Sequence, residues 1–219
     1  MPTTDDYRAL LAEGSRKGSF AQRARDKRAK KLFDTFPGLG DMNVLDLGGT
    51  PQFWGAFPVM PAQVTLVNLI PVLAPVDWIK TVTGDACSPP ESIRNARFDL
   101  VVSNSVIEHV GGHVQRQRFA EVVERGADRH WIQTPYRYFP IEPHWLFPCM
   151  QFLPLRIRAA ITQHWPLSPG RARDLRDAVG NAASVELLSI TEMRSYFPES
   201  AIWYEWFELL VKSLTAIRA

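Results

Sequence analysis

Apolar residues along this chain gather in short runs rather than long periodic blocks. Val44–Leu47, Val64–Asn68 and Phe98–Asn104 have strand length and are rich in β-branched residues; Lys80–Thr83 is a weaker run, and His130–Gln133 is the fifth. Phe98–Asn104 is apolar almost throughout, as a strand buried on both faces should be. Between the last two runs, Val114, Phe119, Val122 and Val123 recur at helical spacing and predict a helix over Val114–Arg125. Strand, helix and strand in alternation predict a parallel α/β sheet with right-handed crossovers.

The flanks follow other patterns. Arg16–Lys31 holds eight Lys or Arg residues and one acid, Asp26, with Ala21, Ala24, Leu32, Phe33 and Phe36 at helical spacing. It predicts a basic amphipathic helix, either a solvated face over a packed Ala/Phe stripe or one that attracts an acidic substrate or an anionic surface through Arg25, Arg28 or Lys31. Pro37–Asp41 ends it. Pro51–Pro61, bounded by prolines, has room only for a short helix or turn around Phe53 and Trp54.

Thr134–Gly170 breaks the alternation with seven of the seventeen prolines, many aromatic residues and one expected helix between Met150 and Gln163. It is expected to be an insertion over the carboxyl edge of the sheet. Arg171–Ala183 is polar enough to predict a mobile loop, Thr191–Tyr196 predicts a helix, and Ala201–Phe207 with Leu210–Ile217 predicts a closing antiparallel hairpin. The expectation is a single domain over residues 1–219, with an N-terminal helical region over 1–40 and an inserted substrate lid over 134–183.

Composition narrows the class. In 219 residues, 46% hydrophobic and 22% charged, there is enough apolar material for one domain with a sizeable core. A net charge of +2 is too mild to predict a nucleic-acid partner. Cys87 and Cys149 stand far apart with no CxxC or Cys/His spacing, so neither a disulfide framework nor a zinc site is expected. No apolar stretch approaches the roughly 18 to 20 residues of a membrane span, and Met1–Arg8 has no leader-like apolar region. The expected compartment is cytoplasmic.

In an open α/β sheet the ligand sits outside the carboxyl ends of the strands, so the residues that end strands carry the information. Here they are Asp46 with Gly48 and Gly49, Asn68, Asp85, and Ser103 with Asn104. A glycine turn admits close approach to the backbone, a polar side chain can bond ribose hydroxyls, and an aspartate can accept from an adenine amino group. That set describes an adenosine site. The GxGxxG and GxxxxGK[ST] fingerprints of a pyrophosphate cradle are absent.

These segments resemble those of the class I S-adenosylmethionine-dependent methyltransferases. The matching pieces are Val44–Gly49, Leu66–Leu69, Gly84–Ala86 and, most specifically, Phe98–Val110, in which an Asp-Leu-Val-Val strand leads into Val-Ile-Glu-His, as in the small-molecule and lipid methyltransferases of that family. The resemblance implies a Rossmann-like three-layer sandwich with a mostly parallel seven-stranded sheet and a C-terminal antiparallel hairpin. It implies S-adenosylmethionine as cofactor, with its methionine end against Asp46, Gly48, Gly49 and Thr50. It also puts Asn68 and Leu69 at the ribose, Asp85 and Ala86 at adenine, and Ser103 and Asn104 under the sulfonium. Two positions depart from the family pattern: Thr50 and Gln52 stand where further glycines are usual, and Asn68 stands where an acid is usual.

Methyl transfer needs a base only where the acceptor carries a proton that must leave. His144 and His109 are the candidates, with Glu142 placed to orient His144. A helix-start histidine bonding backbone is an equally good account of His109. Glu108, His109 and His113 are ligand-type residues on a loop-like run, and no metal is expected. The expected activity is methyl transfer to an oxygen of a small metabolite or sugar derivative. A lipid or polyprenyl acceptor at a membrane surface, with peripheral membrane contact, is the alternative suggested by Phe152, Ile157 and Ile161 beside Arg156 and Arg158. A nicotinamide-dependent oxidoreductase and a non-catalytic nucleotide-binding module are the competing classes.

Overall fold

The computed structural model describes residues 20–55, 59–74, 76–170 and 172–219. The described residues divide into two compact units, one drawn from residues 37–139 and 184–219 and the other from 20–36 and 140–183.

The first unit is built on one sheet. Its strands are β1 (Asn43–Leu47), β2 (Gln63–Asn68), β3 (Ile79–Thr83), β4 (Leu100–Asn104), β5 (His130–Pro135), β8 (Ala201–Phe207) and β9 (Leu210–Arg218), in the order β3-β2-β1-β4-β5-β9-β8. The first five are parallel, and β9 and β8 close the sheet antiparallel. Burial explains which strands the sequence announces. In β1 the four residues after Asn43 are buried, as are the first four of β4 and the first five of β5, whereas edge strand β3 buries only Ile79. A strand covered on both faces needs apolar side chains at consecutive positions.

The hairpin of β8 and β9 pairs Phe207 with Leu210 across a two-residue loop, and Glu208 takes the left-handed conformation, φ 52°, that this tight turn demands. Leu45, Leu47, Val101, Ile132 and Leu214 form the core with Phe119 and Val123 of the helix His113–Gly126. Met193 and Phe197 join them; the helix Ile190–Tyr196 that bears Met193 starts with a reciprocal Ser189/Glu192 capping box. Buried Arg116 fastens helix His113–Gly126 to the segment before Ser189, donating to the Glu186 carbonyl at 2.7 Å and to its carboxylate at 3.0 Å.

β5 runs two residues past the predicted strand. Thr134 is fully buried and Pro135 pairs with Ser213, so Thr134–Phe139 counts with the sheet, and the second unit resumes at Pro140. Within that unit the helix Phe20–Thr35 buries Leu32, as Phe36 just after it is buried; residues 16–19 of the predicted basic helix lie outside the described residues. A short ladder pairs β6 (Ile141–Glu142) with β7 (Phe147–Pro148).

In the second unit one expectation holds and one is corrected. The one helix expected between Met150 and Gln163 is Leu155–His164; a 3-10 turn, Met150–Phe152, precedes it and stays separate because Pro154 cannot continue the hydrogen-bond ladder. The predicted mobile loop contains a helix, Leu175–Ala183. Small Ala178 and Ala182, four apart, are its buried stripe, and Asp174 caps its start by accepting from the Asp177 amide at 2.8 Å. The two helices pack together, and the Arg158 guanidinium donates to the Ala182 carbonyl.

Candidate functional site

Strand order reverses at β1, which has β2 on one side and β4 on the other, and open sheets leave a crevice at such a switch point. A cavity of about 380 Å³ opens there. Gly48, Asn68, Leu69, Asp85, Ala86 and His109 line it, together with Val67, Ile70, Val72, Gly84, Val106 and Val110.

The glycine turn is fixed by what surrounds it. Gly48 has φ 77° and donates to the Val67 carbonyl at 2.8 Å; a Cβ on it would lie 2.4 Å from Val106 Cγ2. A Cβ on Gly49 would lie 1.7 Å from Asp46 Oδ2. Both positions exclude a side chain, one by backbone conformation and contact, the other by contact alone. Thr50 is exposed and precedes the short helix Pro51–Trp54, accepting from the Phe53 amide through its carbonyl at 3.1 Å.

Asp46 is buried behind this turn. Trp54 Nε1 donates to Oδ2 at 2.7 Å, and Oδ1 has no hydrogen-bond partner among the described residues. Burial pushes its carboxyl up to about 7, and the Trp54 bond offsets only part of that. Asn68 ends β2 and donates its side-chain amide to the Gly49 carbonyl at 3.1 Å. An aspartate could not make that bond, which gives a structural reason for the departure from the acidic residue. Asp85 accepts from the Cys87 amide at 2.8 Å, while Gly84 donates to the Asn68 carbonyl at 2.8 Å and so joins the ends of β2 and β3. The Cys87 thiol is pushed up to about 12 by burial and the Asp85 charge, so it stays protonated and is no nucleophile.

Ser103 and Asn104 face inward. Ser103 is buried and donates to the Leu47 carbonyl at 2.8 Å, and Asn104 Oδ1 accepts from Trp131 Nε1 at 3.3 Å. Neither lines the cavity, nor do Asp46, Gly49 and Thr50. His109 is exposed at the rim, with its backbone amide donating to the Val106 carbonyl at 2.8 Å. Glu108 is buried and accepts from Thr134 Oγ1 at 2.8 Å, and His113 Nδ1 lies 2.9 Å from the Tyr196 hydroxyl.

Glu142 and His144 come together in the second unit. Glu142 Oε1 lies 2.6 Å from His144 Nδ1, and Oε2 accepts from the backbone amides of His144 and Trp145 at 2.8 and 2.9 Å. The β6–β7 ladder holds the turn closed, and Trp165 Nε1 donates to the Trp145 carbonyl at 2.9 Å. One buried carboxylate thereby fixes both the backbone and the ring of His144.

No family model and no curated protein matches the sequence. Solved structures do match. A magnesium protoporphyrin IX methyltransferase from Synechocystis with bound SAH (S-adenosylhomocysteine) aligns over 100% of this chain and 96% of its own, with TM-score 0.54 and 13% identity. The N-methyltransferase NodS from Bradyrhizobium japonicum in complex with SAH aligns over 97% of each chain, TM-score 0.52, 12% identity. The N-terminal domain of EvdMO1 in the presence of SAH and D-fucose aligns over 92% of this chain and 84% of its own, TM-score 0.52, 14% identity.

The chain has the class I methyltransferase fold. The strand ends of this methyltransferase fold are legible in the sequence, whereas Trp54 and the apolar wall of Val106 and Val110 are not. Trp54 follows Asp46 by eight residues, a spacing that means nothing until the glycine turn folds the chain back. Val106 and Val110 lie inside the quoted Phe98–Val110 segment, where their four-residue spacing was the available signal.

Proposed function

We propose that the protein binds S-adenosylmethionine in the cavity at the ends of β1 to β4 and transfers its methyl group to an oxygen of a small metabolite or sugar derivative. The observation that carries this reading is the glycine turn at the switch point, open to a ligand's backbone approach and flanked by the Asn68 amide and the Asp85–Ala86 turn. The residues fit the cofactor. Gly48, where a Cβ would collide with Val106, gives the cavity a bare stretch of backbone for the cofactor's methionine end. In this reading Asn68 and Leu69 hold the ribose and Asp85 and Ala86 the adenine. Ser103 and Asn104 brace the strand ends through Leu47 and Trp131.

The cofactor, when bound, supplies an electrophilic methyl whose bond to sulfur breaks as a bond to the acceptor oxygen forms, the electron pair staying on sulfur. The protein's part is alignment and removal of the acceptor's proton. Positioning alone supplies roughly 7 to 11 kcal/mol in well-oriented reactions. His144 is the proposed base: a proton on Nδ1, donated to Glu142, makes Nε2 the basic nitrogen. His109 at the cavity rim is the second candidate. The sugar class draws on EvdMO1, whose structure was determined with D-fucose present.

A second reading, a lipid or polyprenyl acceptor, is favoured by exposed Phe152, Leu155 and Ile157 beside exposed Arg156 at the start of the helix Leu155–His164. The discriminating experiment measures S-adenosylhomocysteine release on panels of sugar, small-hydroxyl and polyprenyl acceptors. Binding of the cofactor without turnover on any panel supports a non-catalytic module instead, and binding of NAD in preference to S-adenosylmethionine overturns the reading.

A further inference from the structure

Ser105 is a left-handed residue, φ 56°, at the point where β4 gives way to the cavity wall. Serine takes that conformation at a cost that glycine does not bear, so something must hold it there. Two bonds do so, and both go to Gln133 of β5. The Ser105 amide donates to the Gln133 carbonyl at 2.9 Å, extending the β4–β5 ladder, and Ser105 Oγ donates to Gln133 Oε1 at 3.1 Å. Gln133 is buried, which gives its side chain little freedom to follow a moving partner. The next residue, Val106, is the one whose methyl group stands against Gly48, and the Val106 carbonyl accepts from His109 to close the turn. Val106, His109 and Val110 then form one wall of the cavity.

We infer that Gln133 is a positioning residue for the cofactor cavity: by accepting the Ser105 hydroxyl it holds Ser105 left-handed, and so seats Val106 against the Gly48 turn. The inference rests on the cofactor reading above. Gln133 touches no ligand in this account. It acts only through the backbone of Ser105, which makes the account separable from ordinary packing.

The test is the affinity of the whole chain for S-adenosylhomocysteine, by calorimetry, in wild type and three variants. Ser105→Ala removes the hydroxyl but keeps the Cβ that disfavours φ 56°, so affinity falls on the order of tenfold. Ser105→Gly also removes the hydroxyl but needs no anchor, so its affinity stays within about threefold of wild type. Gln133→Leu behaves like Ser105→Ala; should it fail to fold, the serine pair decides alone. Wild-type affinity in Ser105→Ala, or equal losses in Ser105→Ala and Ser105→Gly, overturns the inference, the second outcome because it puts the hydroxyl itself on the ligand. A wild-type chain that binds neither S-adenosylhomocysteine nor S-adenosylmethionine overturns the cofactor reading, and this inference with it.

Discussion

Trp54 donates its indole N–H to Asp46 at 2.7 Å, with both side chains buried. The bond crosses the Gly48–Gly49 turn and ties the short helix after the turn to the strand before it. It is the only hydrogen bond to the Asp46 carboxyl among the described residues, and it serves a group that burial keeps near neutral pH in its titration. Trp54→Phe leaves that carboxyl without a donor, at an expected cost of about 1–3 kcal/mol in urea denaturation at pH 7. Stability equal to wild type would show that the indole N–H is not what holds the turn.

Asp46 also sets a pH dependence. Its pKa is about 7 in the folded chain against 3.8 in an unfolded one, so the folded state holds a proton that the unfolded state releases. The contribution is fully present below pH 3.8 and is lost as pH rises through 7, on the order of 4 kcal/mol in all. Asp46→Asn abolishes that loss, so the variant gains stability over wild type as pH rises from about 4 to about 8. Parallel stability curves for the two proteins would refute the desolvated state of the buried carboxyl.

His130 runs the opposite way. Buried at the start of β5 with Nε2 2.7 Å from Ser200 Oγ, it is lowered to about 4 from 6.5, chiefly by desolvation and secondly by the Arg218 charge. Its contribution is fully present above pH 6.5 and is lost as pH falls through 4, roughly 3 kcal/mol. Between these limits His130 and Asp46 oppose each other. His130→Gln therefore loses less stability than wild type on going from about pH 7 to about pH 4, as equilibrium urea curves at the two pH values measure.

Asn68 is predicted to serve this particular turn better than an acid would. Asn68→Asp loses the amide donor to Gly49 and sets a carboxylate against that carbonyl, so the chain without ligand loses on the order of 1 kcal/mol. Cofactor affinity falls with it. A variant that binds S-adenosylmethionine more tightly than wild type would mean that the ribose contact, not the turn, governs this position.

The Glu142–His144 pair makes a kinetic prediction. His144→Ala and Glu142→Gln each lower methyl transfer by roughly 10²–10⁴-fold while S-adenosylhomocysteine affinity stays unchanged. Unchanged turnover in both variants removes the pair from the mechanism and leaves His109 as the remaining candidate.

What the sequence revealed and what it hid divide along physical lines. β1, β2, β4 and β5 are covered on both faces, so their apolar runs are unbroken and readable, and β3 at the edge is correspondingly faint. The helix Leu175–Ala183 was hidden because its buried stripe is made of alanines, which carry too little apolar weight to stand out against Arg173, Asp174, Arg176 and Asp177. At the cavity, Gly48, Asn68 and Asp85 were legible as strand-ending residues. Their partners were not: Trp54 on Asp46, Gly49 under Asn68 and Val106 on Gly48 are contacts created by the turn itself. Side chains read as ligand contacts, Ser103 and Asn104, spend their hydrogen bonds inside the sheet, which no local pattern distinguishes from facing a ligand.

The central claim is that the cavity beside Gly48 is an S-adenosylmethionine site. Calorimetric titration of the chain with S-adenosylhomocysteine tests it most directly, in wild type and in Ala86→Phe, which fills the cavity from the β3 side. The account predicts saturable micromolar binding to wild type and none to the variant. No binding to wild type at millimolar ligand, or equal binding to both proteins, would contradict it.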